Sequence, residues 1–198
     1  MNTVHRPLTL WLLAALASAN VHAVSDADQR PVLVVVLHNY AAIAPRILEH
    51  AAREVSRVYR ELGVEVRWIA PLVELDRPND ILNETLIATV HLRLFERDTR
   101  DRAFNGVIGI DAPSAAGGLM TVAHVLYQPV EDESTSALAL AYVMAHLVGN
   151  VAMTPDGARP SAIMRAGRGE AERLQRGESP FTQDEADRIR SGARVAAH

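Results

Sequence analysis

The apolar run over residues 31–37 constrains the fold more than any other part of the chain. It is rich in β-branched residues and has no polar interruption, a pattern typical of a strand that is buried on both faces. Apolar residues then recur at helical spacing over 43–62, and Gly63 ends that helix. A second strand follows over 64–69. This β-α-β order predicts an α/β (α+β) fold built on a mixed sheet.

Three more strands are predicted downstream, over 85–95, 106–110 and 119–127, because each run is apolar and rich in β-branched residues. The last of them has two interpretations. It is either the edge strand of the sheet, where an extended ligand can add as a further strand, or simply one strand of a hairpin. The residues alone do not choose between these two.

Two further helices are predicted. Ser134 and Thr135 offer N-cap oxygens for a helix that runs to about Met153. Its residues leave little polar face, which indicates a helix buried centrally in the fold. The pattern from Thr182 to Glu185 is a capping box, and it opens a C-terminal helix through about Arg190.

The first 23 residues have the pattern of a signal peptide. An apolar core over 8–17 follows the charged Arg6, and Val21-His22-Ala23 is a small-x-small cleavage site. The stretch is short for a membrane span; the alternatives are an uncleaved anchor and cleavage after Ala19. We therefore expect a signal peptide over 1–23 and a single domain over 24–198. That mature domain would be secreted or periplasmic, with no membrane attachment.

Charge and cysteine content exclude several classes of function. The chain has 20 basic and 24 acidic residues, for a net charge of −4, and no cysteine. Removal of residues 1–23 takes away one Arg and no acid, so the mature charge becomes 19 − 24 = −5. This mild acidity predicts no affinity for nucleic acid or anionic lipid. Disulfides and thiol chemistry are excluded by the composition.

Two segments bear on chemistry, Ala145-His146-Leu147-Val148-Gly149-Asn150 and Ser161-Ala162-Ile163-Met164-Arg165. In the helix motif H-E-x-x-H, two His residues four positions apart share one face and bind one metal ion, while the Glu activates its water. Here His146 occupies the first ligand position. Leu147 stands at the Glu position, and Asn150 stands at the second His position.

These segments resemble the metzincin-like zinc peptidases, and more closely a group of small secreted bacterial proteins whose helix reads roughly A-H-E-x-G-H before a later His and G-I-M-R. The resemblance covers most of the mature chain. It implies a metzincin-like mixed sheet with a long N-terminal helix, a central former active-site helix, a Met-turn at Met164 and a C-terminal helix. The third metal ligand would fall at Ala158 in the spacing of the close group, or at Asp156 in the general spacing.

The substitutions remove most of the zinc chemistry. Catalytic zinc takes three protein ligands, whereas the remnant positions hold His146, the neutral amide of Asn150, and Asp156 or Ala158. Leu147 also deletes the general base, a role that contributes on the order of 100 to 10,000-fold in rate. We therefore expect no catalytic residue, no dependable metal ligand and no cofactor.

The sequence thus predicts an exported, catalytically inactive metallopeptidase-like protein that acts by binding an unidentified peptide or protein. The alternative is a peptidase or other hydrolase that uses zinc or another metal with altered ligands. In that case His146 and Asp156 would bind the metal, and His91 or His124 would turn toward them from a strand.

Overall fold

The structure is a computed structural model that describes residues 31–69, 86–97, 106–112, 120–152 and 163–196. The segment predicted to be a signal peptide, 1–23, lies outside the described residues. The elements, in chain order, are β1 (Val32–Asn39), α1 (Pro45–Glu61), β2 (Glu65–Ile69), β3 (Leu86–Glu96), β4 (Val107–Ala112), β5 (Met120–Tyr127), α2 (Glu133–Ala152), β6 (Ile163–Ala166), α3 (Arg168–Gln175) and α4 (Gln183–Ala196).

The strands form one mixed sheet in the order β2-β1-β3-β5-β4-β6. Strands β2, β1, β3 and β5 run parallel, and β4 is antiparallel to both β5 and β6. The predicted α/β fold class with a mixed sheet is therefore confirmed. The predicted β-α-β opening is also present, because β1 and β2 pair in parallel on either side of α1 in the chain.

Helix α1 begins at Pro45, whose fixed φ angle suits a first helical turn. Ile43, the first residue of the predicted apolar stripe, lies just before the helix. It is held there because its N–H donates to Asn39 Oδ1 at 3.0 Å while Asn39 Nδ2 donates to its carbonyl at 2.9 Å. At the other end Gly63 has φ +80°, a left-handed conformation that favours glycine.

Strand β5 decides between the two interpretations of 119–127, because it pairs antiparallel with β4, as a hairpin strand would, and is not an edge strand. It lies between β3 and β4, and the outer strands of the sheet, among the described residues, are β2 and β6. Ala123 and Val125 of β5 belong to the buried core under the helices, and the apolar run in which they lie is visible in the sequence. Strand order is not visible there, because it depends on which distant segments pair outside β5. The short strand β6 was not predicted.

Helix α2 is buried along most of its length, as predicted. Its N-cap differs from the prediction, because Asp132 and not Ser134 or Thr135 supplies the capping oxygen. Asp132 Oδ1 accepts from the Thr135 N–H at 2.9 Å, and its Oδ2 accepts from the Thr135 hydroxyl at 2.8 Å. The adjacent Ser136 hydroxyl is buried and hydrogen-bonded to both the N–H and the carbonyl of Val130.

The C-terminal part contains one helix that was predicted and one that was not. The Thr182 N–H donates to Glu185 Oε2 at 2.8 Å, and the Glu185 N–H donates to Thr182 Oγ1 at 3.3 Å, so the predicted capping box is confirmed. Helix α4 continues past the predicted end at Arg190 to Ala196. Helix α3 was not predicted; the Glu170 carboxylate caps it by accepting from the Gly167 N–H at 2.9 Å.

The helices pack on one face of the sheet, and α2 lies at the centre of the core. Alternate strand residues, such as Val35 and Leu37 on β1 and Leu92 on β3, belong to the same buried cluster as Leu147 on α2. The intervening residues point to the opposite face, since side chains alternate along a strand. None of the helices in the described ranges is long and apolar enough to cross a membrane.

Candidate functional site

His146 lies inside an aromatic enclosure between α2 and the start of α4. Only 5% of its surface is exposed. Its ring centre lies 4.8 Å from that of Tyr142, one turn earlier on α2, and 5.1 Å from that of Phe181, which approaches edge-on. Phe181 also packs against Tyr59 of α1 at 5.8 Å. The imidazole is therefore covered by one ring from its own helix and one from the segment before α4, and Tyr59 of α1 packs behind the second ring.

Tyr59 ties α1 to the same region of α2. It is fully buried, and its hydroxyl donates to the Ala145 carbonyl at 2.8 Å. Burial raises the pKa of the Tyr59 hydroxyl well above its usual value, because the phenolate would lose its hydration. Tyr59 therefore stays protonated and serves as a structural donor beside His146.

The electrostatic surroundings of His146 favour its neutral form. Burial lowers the pKa of the imidazole, and the positive charge of Arg173 lowers it further. The negative charge of Glu185 and a hydrogen bond with the Pro180 backbone act in the opposite direction. The net shift of the pKa is downward, so His146 is uncharged at neutral pH.

The hydrogen bonding of His146 identifies its tautomer. Proline has no N–H, so the Pro180 backbone can only accept through its carbonyl. Nε2 is buried and has no hydrogen-bond partner among the described residues, which leaves Nδ1 as the donor to Pro180. Nε2 then carries a free lone pair. A neutral histidine with one nitrogen held by a backbone carbonyl is the form that metal ligands use.

Leu147, which stands at the Glu position of the H-E-x-x-H pattern, points toward the sheet. It is completely buried. A Cβ atom added at Gly109 of β4 would lie 3.1 Å from Leu147 Cδ1 and 2.5 Å from Val143 Cγ1, so α2 rests directly on the β4 backbone at this point. The side chain at position 147 is therefore part of the core packing between helix and sheet.

Gly149 has a steric role in the enclosure. A Cβ atom at this position would lie 2.9 Å from Phe181 Cε1 and 3.1 Å from Tyr59 Oη. Real side chains rarely come that close, so two aromatic residues that are both buried would have to move. The glycine of the motif is thus required here by the contact between α2 and its aromatic neighbours.

The remaining positions of the motif do not gather around His146 as a ligand set. Asn150 follows one turn later on α2, is half-buried and has interactions of its own. Met164 lies on β6 opposite Gly109 of β4, so the segment predicted as a Met-turn is a strand. Asp156 and Ala158 lie outside the described residues. Within the described ranges, no group of three His, Cys, Asp or Glu residues is placed to hold a metal.

The two strand histidines cannot complete a site at His146. His124 is paired in register with Arg93, and His91 lies two residues before Arg93 on β3, so these side chains share one face. The residues between them, such as Leu92 and Ala123, belong to the core cluster under α2. His91 and His124 therefore point away from His146, so neither supplies the further ligand that the alternative interpretation requires.

The residues that enclose His146 were not identified from the sequence. Tyr142 could have been found from its spacing, since residues four apart share a helix face. Phe181 and Glu185 lie in the capping segment of α4, which was identified, but its position against α2 has no local signal in the sequence. Zinc does not fit the described residues of this site, because they offer one imidazole nitrogen that faces buried aromatic rings, and the next residue, Leu147, has no group that could act as a base.

The fold and site define an α/β protein with a mixed sheet and an enclosed histidine on its central helix. Comparison of the chain with protein-family models, with curated proteins and with solved structures finds no match. The function is therefore inferred from the residues of the site itself.

Proposed function

We propose that this protein is an exported, catalytically inactive metallopeptidase-like domain that acts by binding a peptide or protein segment. The observation that carries the proposal is the complete burial of Leu147 between α2 and β4. A general base must reach a water molecule or a substrate proton. A leucine packed against the backbone of a central sheet has neither the chemistry nor the access.

The surroundings of His146 support the same proposal. The ring is covered by Tyr142 and Phe181, and its Nε2 atom is buried. A catalytic metal needs several ligands around an open position for water. An imidazole closed in by aromatic side chains offers one nitrogen and no such position.

The parts of the motif that remain are those with a structural role, which supports descent from a metallopeptidase. Gly149 is required by the close approach of Phe181 and Tyr59. His146 keeps a backbone carbonyl on one nitrogen and a free lone pair on the other. Loss of the catalytic Glu with retention of these packing residues is what a former active-site helix would leave behind.

A ligand that adds as a strand would have to pair at an edge of the sheet, and β6 now supplies one such edge. Strand β6 pairs along one side of β4. Ala166 lies opposite Val107, and Ile163 lies opposite Ile110. Ile163, the first residue of β6, is 65% exposed and is therefore available for contact with such a ligand. We therefore place the proposed binding surface at β6, where backbone pairing and the Ile163 side chain would act together.

The alternative function, a metal-dependent hydrolase with altered ligands, now depends on His146 and Asp156. His124 is excluded from it by its position on the other face of the sheet. This alternative requires the aromatic enclosure to open, since the described arrangement buries Nε2.

Metal loading and hydrolysis together test the proposal. The protein and its His146→Ala variant are incubated with zinc, freed of excess metal, and assayed for bound zinc and for cleavage of an unstructured protein substrate. We expect no zinc that depends on His146 and equal, background-level cleavage. Stoichiometric zinc or proteolysis that is lost in His146→Ala would overturn the inactive assignment and favour the alternative.

A further inference from the structure

A second histidine cluster lies on the sheet face opposite α2. His38 is near the end of β1, and His91 is on the adjacent strand β3. His38 Nε2 and His91 Nδ1 are 3.2 Å apart and hydrogen-bonded. His38 also stacks on Tyr40, which stacks in turn on Phe95. Neither imidazole takes part in the site at His146.

The two imidazoles point directly at each other. A ring nitrogen lies about 1.15 Å from the centre of a five-membered ring with bonds of about 1.33 Å. If both ring centres and both facing nitrogens lay on one line, with the nitrogens at their observed separation, the ring centres would be about 5.5 Å apart. The observed separation of the His38 and His91 ring centres is 5.5 Å, with 15° between the planes. The arrangement is therefore a nearly linear, nearly coplanar N–H···N hydrogen bond.

This geometry is that of a shared proton rather than of a metal chelate. Tetrahedral zinc would lie to one side of the line between the nitrogens, with both lone pairs aimed at the metal, whereas here the two nitrogens are aimed at each other. The observed contact is 3.2 Å. One proton fits between the two lone pairs. A proton on each of the facing nitrogens would place two N–H groups against each other and break the bond.

The neighbours of the pair oppose a second positive charge. Burial, His38 and Arg93 each lower the pKa of His91. From β5, His124 faces the same side of the sheet beside Arg93, and it meets Phe95 edge-on at 5.6 Å. No carboxylate of the described residues contributes to the shift of the pKa at His91.

The pair lies next to a turn that an added charge would disturb. Tyr40 follows β1 immediately and is 62% exposed, held by its ring contacts and by a bond from its N–H to the His38 carbonyl at 3.3 Å. The same turn contains Ala42 in a left-handed conformation, with φ 50°. Movement of His38 away from His91 would therefore be transmitted to the Tyr40 ring.

We propose that His38 and His91 form one proton-sharing pair that acts as a pH-sensitive latch on the turn carrying Tyr40. Near neutral pH one proton lies between the rings and holds β1 to β3 at this point. In mildly acidic solution the pair accepts one further proton as a unit. Full protonation of both facing nitrogens breaks the bond and releases the stack of Tyr40 on Phe95. The latch is independent of the function proposed for the α2 region.

Histidine titration by NMR on the ¹⁵N-labelled full-length chain tests this proposal. Two variants separate the pair: His91→Asn keeps an amide near the position of Nδ1, and His38→Gln keeps one near Nε2. The matched control is His124→Asn, on the same face but outside the pair. Amide spectra at neutral pH verify that each variant is folded.

We expect the two imidazoles of the unmodified protein to titrate in coupled steps separated by at least about one pH unit. The Tyr40 ring signals should move with the lower step. In His91→Asn and in His38→Gln the remaining imidazole of the pair should titrate in a single uncoupled step. His124→Asn should keep the separated steps.

Two results would overturn the latch. One is independent titration of His38 and His91 with equal midpoints in the unmodified protein. The other is a Tyr40 response that persists unchanged when either partner is replaced, which would assign it to a different group.

Discussion

Replacement of Leu147 by Glu restores the residue of the peptidase motif and places it in the core. The side chain at this position is completely buried and touches the β4 backbone at Gly109. An ionised carboxylate there would lose its hydration, so the folded protein would hold the introduced carboxyl in its neutral form. The substitution should therefore destabilise the fold rather than recover activity.

The size of the effect follows from two contributions. The unfolded chain ionises a Glu with a pKa of about 4.3, so keeping it neutral at pH 7 costs roughly 3.7 kcal/mol. Loss of the buried leucine side chain adds about 2 kcal/mol. Leu147→Glu should thus lower the free energy of unfolding by about 5 to 6 kcal/mol at pH 7, a large part of the stability of a typical domain.

The assay is urea denaturation followed by circular dichroism, at pH 7 and near pH 4.5, with each variant compared with the unmodified protein at the same pH. The folded-state pKa of the introduced carboxyl is raised, so its penalty is greatest at high pH and falls as pH drops toward about 4.3. We expect the loss of stability to shrink by about 3 kcal/mol between the two conditions.

Two controls separate charge from shape. Leu147→Gln has the size and polarity of the neutral acid, so its cost should be independent of pH. Leu147→Met conserves volume and apolar character and should cost less than about 1.5 kcal/mol. If Leu147→Glu costs under about 1 kcal/mol at both pH values, position 147 faces water, and the argument that this helix face has become core is wrong.

Three further predictions concern other parts of the molecule. Gly149→Ala should destabilise the protein by about 1 to 3 kcal/mol through overpacking against Phe181 and Tyr59, whereas Gly169→Ala, with open space around its Cβ, should not; urea denaturation compares them. The free energy of unfolding should fall as the pH drops below about 6.5. The pKa of His146 is lower in the folded protein than in the unfolded chain, so the unfolded chain takes up a proton first and is favoured. His146→Asn should reduce this pH dependence. If the substitution leaves the pH dependence of stability unchanged, other groups cause it. The exported form should begin near Val24; an intact mass that retains 1–23 would indicate an anchor.

The local elements of the fold were predictable, and the pairing of distant ones was not. Strand β1 was found from its unbroken apolar run and helix α1 from its helical periodicity, because each buries a continuous apolar surface. The interior position of β5 depends on β4 and β6 pairing beyond it. With four residues, β6 is too short to display a period, and its Met164 was assigned to a turn from a motif.

The same distinction applies to the candidate site. His146, Leu147 and Gly149 were identified because they lie together in one helical motif. The closure around them comes from Tyr59 and Phe181, which reach α2 from remote parts of the chain. The pairing of His38 with His91 across 53 residues likewise has no local signal, since it depends on the register of β1 and β3.

The state of His146 Nε2 in solution tests the central claim most directly, because it reports on the atom that would bind zinc and not on zinc bound elsewhere. Two-bond ¹H–¹⁵N NMR of the imidazole is recorded at neutral pH with and without excess zinc. We expect a neutral ring protonated on Nδ1, with an Nε2 signal that zinc does not change. A shift of that signal at one equivalent of zinc would contradict the claim, since the ligand atom would then be accessible and bound to metal.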